Sequence, residues 1–460
     1  MPVVGPPHAR QFLAKIRFML CLSSFLPSGF ILLAASPLAL AQTPALLIVD
    51  DTPSPGAQFD SIDAAIDVAS AGDVILVREG TYAGFTLDVP ATVVADTGVP
   101  VLLEGTTEVR GIPAGSVASL IGFTFQDPQG LLQIESNAGL VRLEHLDLTY
   151  FEVDSGGSAQ GPRISITDGT VDLRSVEVGA TDPAVEAVLS QTPSGVLAPP
   201  PAVSVSGSTI SVRDCNWIGL PGRDGLDDPL FFLPIVGTPG ATALQVSSSS
   251  VRLESSQLQG GAGGAGWLGV AQGCVAPRDG GDGLFAAGGS TFLLQLDSSL
   301  QGGAPGMSAQ GLGAIVCPAT ASAGSPVQQD PTAFLSASQS NIIHPNLEFP
   351  NVLREGQAIN AEFSASLGQV ILWGVGFEPS SPTPLPGFDL LSVGLAGPLF
   401  VAAQVPSTIG PDEVVLPPIM NVLQPGTALR FYSQAFSISP SASLALSGPV
   451  VETVLVPSGT

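Results

Sequence analysis

Five stretches of the chain superimpose on one another, and this self-similarity constrains the fold more than any other feature. They are LLQIESNAGLVRLEHLDLTY from Leu131, RISITDGTVDLRSVEVGA from Arg163, AVSVSGSTISVRDCNWIG from Ala202, ALQVSSSSVRLESSQLQG from Ala243 and GLFAAGGSTFLLQLDSSLQG from Gly283. Each holds a short strand, a turn of Ser, Gly, Asp or Asn, a second alternating strand, a polar corner and a final apolar step. The equivalent positions Thr170, Thr209, Ser250 and Thr291 are 39, 41 and 41 residues apart. A period in this range marks a stacked array, because one such unit cannot bury its own apolar face. Alternation also assigns the faces. Val171, Leu173, Val251 and Leu253 are expected inside, and Asp172, Arg174, Arg252 and Glu254 in solvent. A repeated four-strand sandwich competes with a helix of parallel coils.

The start of the chain favours the coils. In Phe59–Asp88, Ile62, Ala65, Ile66 and Ala69 fall on one face of a short helix. Asp60 or Ser61 is placed to cap it and Gly72 to end it. Val74–Val77 reads as a buried strand, Gly80-Thr81-Tyr82 as a turn and Phe85–Val89 as a returning strand. Phe59, Ser61, Ile62, Ala65, Ile66, Ala69, Gly72, Asp73, Ile75, Val77, Gly80 and Tyr82 together form a pattern. It resembles the opening of secreted bacterial right-handed parallel β-helix proteins of the pectin-lyase-like class. That resemblance implies an all-β right-handed parallel β-helix with a helical lid over its first coil. A lid answers a physical need, since an open stack exposes strand edges and an apolar end.

Composition sets further bounds. The chain is 45% hydrophobic and 12% charged, too apolar for disorder along its whole length. Its 54 glycines and 42 prolines follow no collagen period. A net charge of −25 excludes a plain nucleic-acid binder, which needs a cationic face. Residues 1–41 read as a secretory signal peptide. Arg10, Lys15 and Arg17 precede the apolar stretch Phe18–Ala35, and Ala39-Leu40-Ala41 matches a cleavage pattern, so the mature chain is expected to start at Gln42. Lys15 is the only lysine. The mature chain then has 11 arginines against 39 acidic residues, a charge of −28, and no lysine for a Schiff base, a phosphate loop or general-base chemistry. No later stretch is apolar for long enough to span a bilayer.

Residues 42–346 are expected to form the β-helix, interrupted by Gly-rich loops at 219–240, 260–283 and 302–326. Such loops line up on one face of stacked coils, where binding usually resides. Residues 347–460 lack the repeat and read as a small antiparallel β domain that covers the last coil. Its strands are expected at 358–363, 369–374, 399–403, 429–432 and 452–456.

Candidate chemistry is sparse. Cys274 lies 24 residues past Ser250, and Cys317 lies 26 past Thr291. These are equivalent loops of neighbouring coils, so an exported chain is expected to join them as a disulfide, worth about 4 kcal/mol in the chain-entropy model. Cys215 alternates within a strand and reads as a buried free thiol. Asp224, Asp227, Asp228, Asp279 and Asp282 sit in Gly-rich turns. They are either calcium ligands or solvated carboxylates paired with Arg223 and Arg278. No other metal or cofactor is expected. Gly261, Gly263 and Gly266 match a dinucleotide fingerprint, but in a run of glycines without strand-to-helix context, so the segment reads as a loop.

The resemblance raises polysaccharide cleavage. Hydrolases of the class carry Asn-Thr-Asp, Asp-Asp, Gly-His-Gly and Arg-Ile-Lys motifs. Here Asp-Asp occurs at 50–51 and 227–228 and the other three are missing. The mature chain has two histidines, His145 and His344, neither with a marked partner. Sugar binding without catalysis would use exposed aromatics, for which Trp217, Trp267, Trp373, Tyr82, Tyr150 and Tyr432 are available. A rigid acidic rod needs no special residues. The resulting expectation is a secreted or cell-surface, non-catalytic protein with a structural, adhesive or interaction role. The alternative is a protein that binds or cleaves polysaccharide, as a lyase or hydrolase. Extracellular polysaccharide or cell-surface components are the expected partners. Neither nucleic acid nor, after cleavage, a membrane span is expected.

Overall fold

The computed structural model describes residues 44–460 apart from 53, 97, 127–130, 150–161, 180–198, 223, 225, 228–233, 236, 270–272, 296–297, 308–320, 339–345, 366–369, 386–387, 405–409, 417–422, 439–443, 447–450 and 459–460. The expected signal peptide lies outside the described residues. Two compact units are present. One comprises Thr43–Asn341, Asn421–Leu429 and Val456–Thr460, and the other Ile342–Met420 and Arg430–Leu455.

The first unit is a parallel β-helix. Successive coils place one strand in each of three parallel sheets, of ten, eight and eight strands. We call the ten-stranded sheet A, the eight-stranded sheet that holds Leu132–Glu135 and Ile164–Thr167 sheet B, and the one that holds Asp147–Leu148 and Glu177–Val178 sheet C. Sheet A runs from Leu46–Val49 through Val74–Val77, Thr92–Ala95 and Val117–Ile121 to Phe334–Ser338. Each coil passes from sheet A to sheet C, then to sheet B, then back to A. Thr170 pairs with Thr209, Thr209 with Ser250 and Ser250 with Thr291, the register read from the repeat.

The core is a set of stacked rows. Ile75, Val93, Leu120, Leu143, Leu173, Val212 and Leu253 follow one another across sheet A, each almost fully buried. Val178, Trp217 and Leu258 stack likewise in sheet C. Like residues stack at the ~4.8 Å strand spacing, so each coil buries its neighbour's apolar edge.

Corners are also stacked. His145, Ser175, Asp214 and Ser255 all have φ between 46° and 52°, at the exit from sheet A. Ser136, Asp168, Gly207, Ser248 and Gly288 repeat the left-handed conformation at the entry to it, with φ between 50° and 64°. Asp, His and Gly tolerate this region best. Inward hydroxyls finish the corners. Ser208 N–H donates to Ser249 Oγ at 3.0 Å, and Gly169 N–H donates to Ser208 Oγ at 3.1 Å.

At the start, helix Ile62–Ile66 buries Ile62, Ala65 and Ile66, and the Ser61 hydroxyl accepts the Ala64 N–H. The helix is shorter than expected, with Asp67 already its C-cap, Ala69 only partly buried and Gly72 in the following turn. Gly80-Thr81-Tyr82, read from sequence as a turn, belongs to strand Gly80–Ala83 of sheet C, paired with Val101–Glu104. Tyr82 points inward from it, 4% exposed.

The second unit is antiparallel. Asn346–Glu348, Ile359–Ala365 and Gly410–Leu416 form one sheet. Val370–Leu385 pairs with Phe388–Gln404 and with Leu429–Ile438 in another. The strands expected at 369–374 and 399–403 are parts of these two longer strands. Phe349 and Phe431 meet edge to face, with centroids 6.5 Å apart.

Candidate functional site

The three Gly-rich loops leave their coils between sheets C and B, and their described parts are not open. Outgoing runs begin at Gly219, Gly260 and Gly302, and returning runs lead back through Gly240, Gly281 and Gly324. Gly324 N–H donates to Gly303 O, Gly303 to Gly281, Gly281 to Gly261, Gly261 to Ala241 and Ala241 to Leu220, all at 2.7–2.9 Å. This chain of bonds alternates between returning and outgoing runs. Parallel bonds join runs of one kind. Gly260, Gly263 and Gly266 donate to Gln301, Ala304 and Met307, and Gly280 and Gly283 donate to Ser322 and Ser325.

Donors to any one neighbour recur every third residue, the period of a polyproline-II-type helix, which satisfies none of its own backbone groups. In Gly260-Gly261-Ala262-Gly263-Gly264-Ala265-Gly266, two glycines of each three face other runs and the alanine faces outward. A Cβ at Gly261, Gly281 or Gly303 would overlap the carbonyl of Leu220, Ala241 or Gly261. Absence of side chains is what lets the backbones meet. The fingerprint match at Gly261, Gly263 and Gly266 is therefore part of a backbone lattice. Beyond it, Leu226–Asp227 pairs with Pro234–Ile235, and Trp267–Gly269 with Gly273–Val275.

The loop carboxylates serve this lattice. Asp224 Oδ1 accepts the Ala265 N–H at 2.6 Å. Asp279 Oδ1 accepts the N–H and hydroxyl of Ser322 at 2.6 and 2.9 Å, and Asp282 Oδ1 accepts the Ser325 N–H at 2.8 Å. The bonds from Ser322 hold the Asp279 carboxyl below its ordinary range. Arg278 Nε donates to the Gly237 carbonyl at 3.0 Å. Each carboxylate thus reaches one coil onward. The side chain of Asp227 and all of Asp228 lie outside the described residues. Among the described residues no group of three or more His, Cys, Asp or Glu is placed to hold a metal ion. Cys317 and the Cys274 side chain also lie outside them. Cys215 is a buried free thiol.

A second constellation was not foreseen. On the outer face of sheet A, Arg142, Asp172, Ser211 and Arg252 stand in one row across successive coils. Glu144, Arg174, Arg213 and Glu254 stand in the next. Four of the 11 arginines beyond residue 41 are here. The reading that Asp172, Arg174 and Glu254 point into solvent is corrected. They are 5%, 3% and 1% exposed, and Arg142 is 1% exposed. Arg252 is partly buried. Alternation places a side chain on the outer face of a strand but does not say what lies over that face.

Charge pairing accompanies the burial. Arg142 Nη2 is 3.9 Å from Asp172 Oδ2, Arg213 Nε is 3.1 Å from Asp214 Oδ2, and Arg252 pairs with Glu254. Burial pushes the Asp172 carboxyl above its ordinary range, and Arg142 and Arg252 oppose that shift. Acid and base types are thus gathered in one place, at positions closed to solvent.

A third cluster lies near the helix. Burial disfavours the Asp50 carboxylate, but hydrogen bonds from Ser54 and Thr52 and the Arg78 guanidinium outweigh it and hold its pKa at about 2. Tyr82 Oη accepts the Asp51 N–H at 3.0 Å and donates to the Arg78 carbonyl at 3.1 Å. The Asp-Asp pair at 50–51 is therefore bound into the fold by its neighbours.

Few aromatics are available to a sugar. Trp217, Tyr82 and Tyr432 are buried. The side chains of Trp267 and Trp373, and all of Tyr150 and His344, lie outside the described residues. His145 sits at a left-handed corner, its N–H donated to the Arg174 carbonyl. No helix among the described residues is long and apolar enough to cross a membrane. The fold and these clusters define the chain as a parallel β-helix protein with a glycine lattice on one side. No known protein family, curated protein or solved structure matches it.

Proposed function

We propose that the chain is an exported, non-catalytic β-helix protein of the pectin-lyase-like class, acting in a structural or adhesive role at the cell surface or outside the cell. The observation that supports this reading is the glycine lattice. In stacked coils the face from which such loops project is where binding usually resides, and here the described loop N–H groups named above are spent on neighbouring carbonyls. A lattice bonded in several directions is stiff and projects a fixed shape. The strong negative charge keeps such a rod soluble. Residues 1–41 supply the export signal, and Cys274 and Cys317 are proposed to close a disulfide after export.

A second reading is polysaccharide binding or cleavage, favoured by the gathering of Asp172, Glu254, Arg142 and Arg252 on one sheet face. Burial of that face weighs against it, since a general acid needs substrate reach. The experiment is a binding and product-release screen of the purified chain on neutral and acidic polysaccharides, with calcium and with chelator. Absence of release and of saturable binding across the panel fits the structural role. Release abolished by Asp172→Asn and Glu254→Gln in a folded variant overturns it in favour of catalysis. N-terminal sequencing of the exported protein tests cleavage before Gln42.

A further inference from the structure

Strand Leu46–Val49 begins sheet A, so among the described residues one of its edges has no preceding coil. Such an edge is a template for other strands. Two segments of the chain occupy it. Toward its C-terminal end, Gln58 and Phe59 donate N–H to the Ile48 carbonyl, Asp50 N–H donates to Phe59 O, and Val49 and Phe59 form a parallel bridge. Toward its N-terminal end, the occupant comes from the far end of the sequence. Leu46 N–H donates to Gly426 O and Ala428 N–H donates to Pro44 O, both at 3.0 Å, with Ala45 and Thr427 in an antiparallel bridge.

The downstream segment is shaped for this contact. Gln424-Pro425-Gly426-Thr427 has the Pro and left-handed Gly of a type II turn, with Gly426 at φ 77°. Thr427 N–H closes the turn on Gln424 O at 3.0 Å, and Thr427 Oγ1 accepts the Gln424 N–H at 3.1 Å. Ala428, next to the turn, is fully buried. The guarded strand reads Leu-Leu-Ile-Val. It has no charge and no proline, the devices that normally keep an edge from pairing.

We propose that residues 424–428 are a strap guarding the N-terminal end of this edge, and that with the strap open the freed backbone of Pro44–Leu46 pairs with the same segment of a second copy of this chain, Gln58 and Phe59 still covering the rest. The freed Leu46 N–H and Pro44 carbonyl are self-complementary with the same two groups of a second copy across a twofold axis at Ala45. The strap is short and held by few bonds, so it opens without unfolding the coils. A chain made from its N-terminus also has the edge before it has the strap.

The test uses the full chain and three variants. Gly426→Val puts a β-branched residue at a left-handed φ where no neighbouring atom lies within 4 Å, so strain in the turn is its direct effect. Thr427→Ala removes the turn-closing hydroxyl and is the milder change. Gly111→Val, at φ 72° with the same open surroundings, is the control for backbone strain elsewhere. Hydrogen exchange read at Leu46 and Ala428 should be about tenfold faster or more in Gly426→Val and intermediate in Thr427→Ala. Light scattering should show concentration-dependent association in the same order. Gly111→Val should match the parent in both. Unchanged protection at Leu46 in folded Gly426→Val and Thr427→Ala overturns the proposal. So does association without loss of that protection, or association of Gly111→Val to the same degree.

Discussion

The carboxylate of Asp224 accepts the backbone N–H of Ala265, exactly one coil downstream, at 2.6 Å. Asp279 and Asp282 repeat the relationship with Ser322 and Ser325. Acidic residues in Gly-rich turns suggest cation ligands when read in isolation. Here they supply acceptors to N–H groups that the lattice leaves over. Asp279→Ala is expected to lower stability by about 1 kcal/mol, a modest value for a charged acceptor because the pair meets water. Asp279→Asn should recover part of the loss. Thermal unfolding with calcium and with chelator separates the two roles, and a chelator-induced fall in Tm that Asp279→Ala abolishes would establish calcium instead.

The lattice predicts a sharp contrast between a glycine packed on a neighbouring run and an alanine that faces outward. Gly281→Ala would drive a Cβ into the Ala241 carbonyl, a backbone atom with little freedom to move. Its expected cost is about 1–3 kcal/mol or more, as for overpacking. Ala262 faces outward and is exposed, so Ala262→Ser should lie within about 0.5 kcal/mol of the parent. Denaturant midpoints of the two variants measure the difference. Equal effects would mean that the runs are not packed backbone to backbone.

The coils were legible from Leu131 onward because Thr170, Thr209, Ser250 and Thr291 recur in strands that alternate cleanly. Of the earlier coils only the first was legible, in Val74–Val77 and the return through Thr86–Leu87. Only 18 residues separate Val74 from its partner Thr92, and a strand such as Thr124–Phe125 is too short to show alternation. Gly80 disguised a strand as a turn, since glycine there marks the close approach of the Asp51 carboxylate. The glycines of 260–266 were visible as a loop, but their period of three carries meaning only once a neighbouring run is known to lie beside them. Asp172 and Arg174 were placed on the correct side of their strand. Their burial depends on what lies over that side, which a period of two does not encode.

Asp50 and Asp172 should imprint opposite slopes on stability as a function of pH. Asp50 is held at about 2 in the fold, below the ordinary ~3.9 of an unfolded chain. Its contribution is complete above ~4 and is lost as pH falls toward 2. Asp172 is shifted upward, chiefly by burial, so folding favours its protonated form. Its contribution is complete below the ordinary aspartate range and is lost as pH rises through the raised value. Urea unfolding of the parent, Asp50→Asn and Asp172→Asn from pH 2 to 7 resolves the two. Asp50→Asn should flatten the acid limb and Asp172→Asn the limb above it. Identical profiles for the parent and Asp172→Asn would remove the buried ladder as a source of pH dependence.

Cys215 occupies an inward corner position whose equivalent in the next coil is Ser256. The thiol donates to the carbonyl of Arg213 at 3.2 Å, and the Ser256 hydroxyl donates to that of Glu254 at 2.6 Å. Both groups therefore return a bond two residues back along the chain, and Ser256 Oγ also accepts the Cys215 N–H at 3.2 Å. Burial pushes the Cys215 thiol up to about 12, leaving almost no thiolate near neutral pH, and thiolate is the reactive form. Alkylation at pH 8 followed by peptide mass mapping should leave Cys215 unmodified in the folded chain and modify it fully in denaturant. Cys215→Ser should fold with a change of about 1 kcal/mol or less, because the hydroxyl can make the bond that Ser256 makes one coil away. Cys215→Ala should cost more, since it loses that bond and leaves a small void. Rapid alkylation of the native thiol would mean that the corner opens to solvent, and would place the weak point of the stack there.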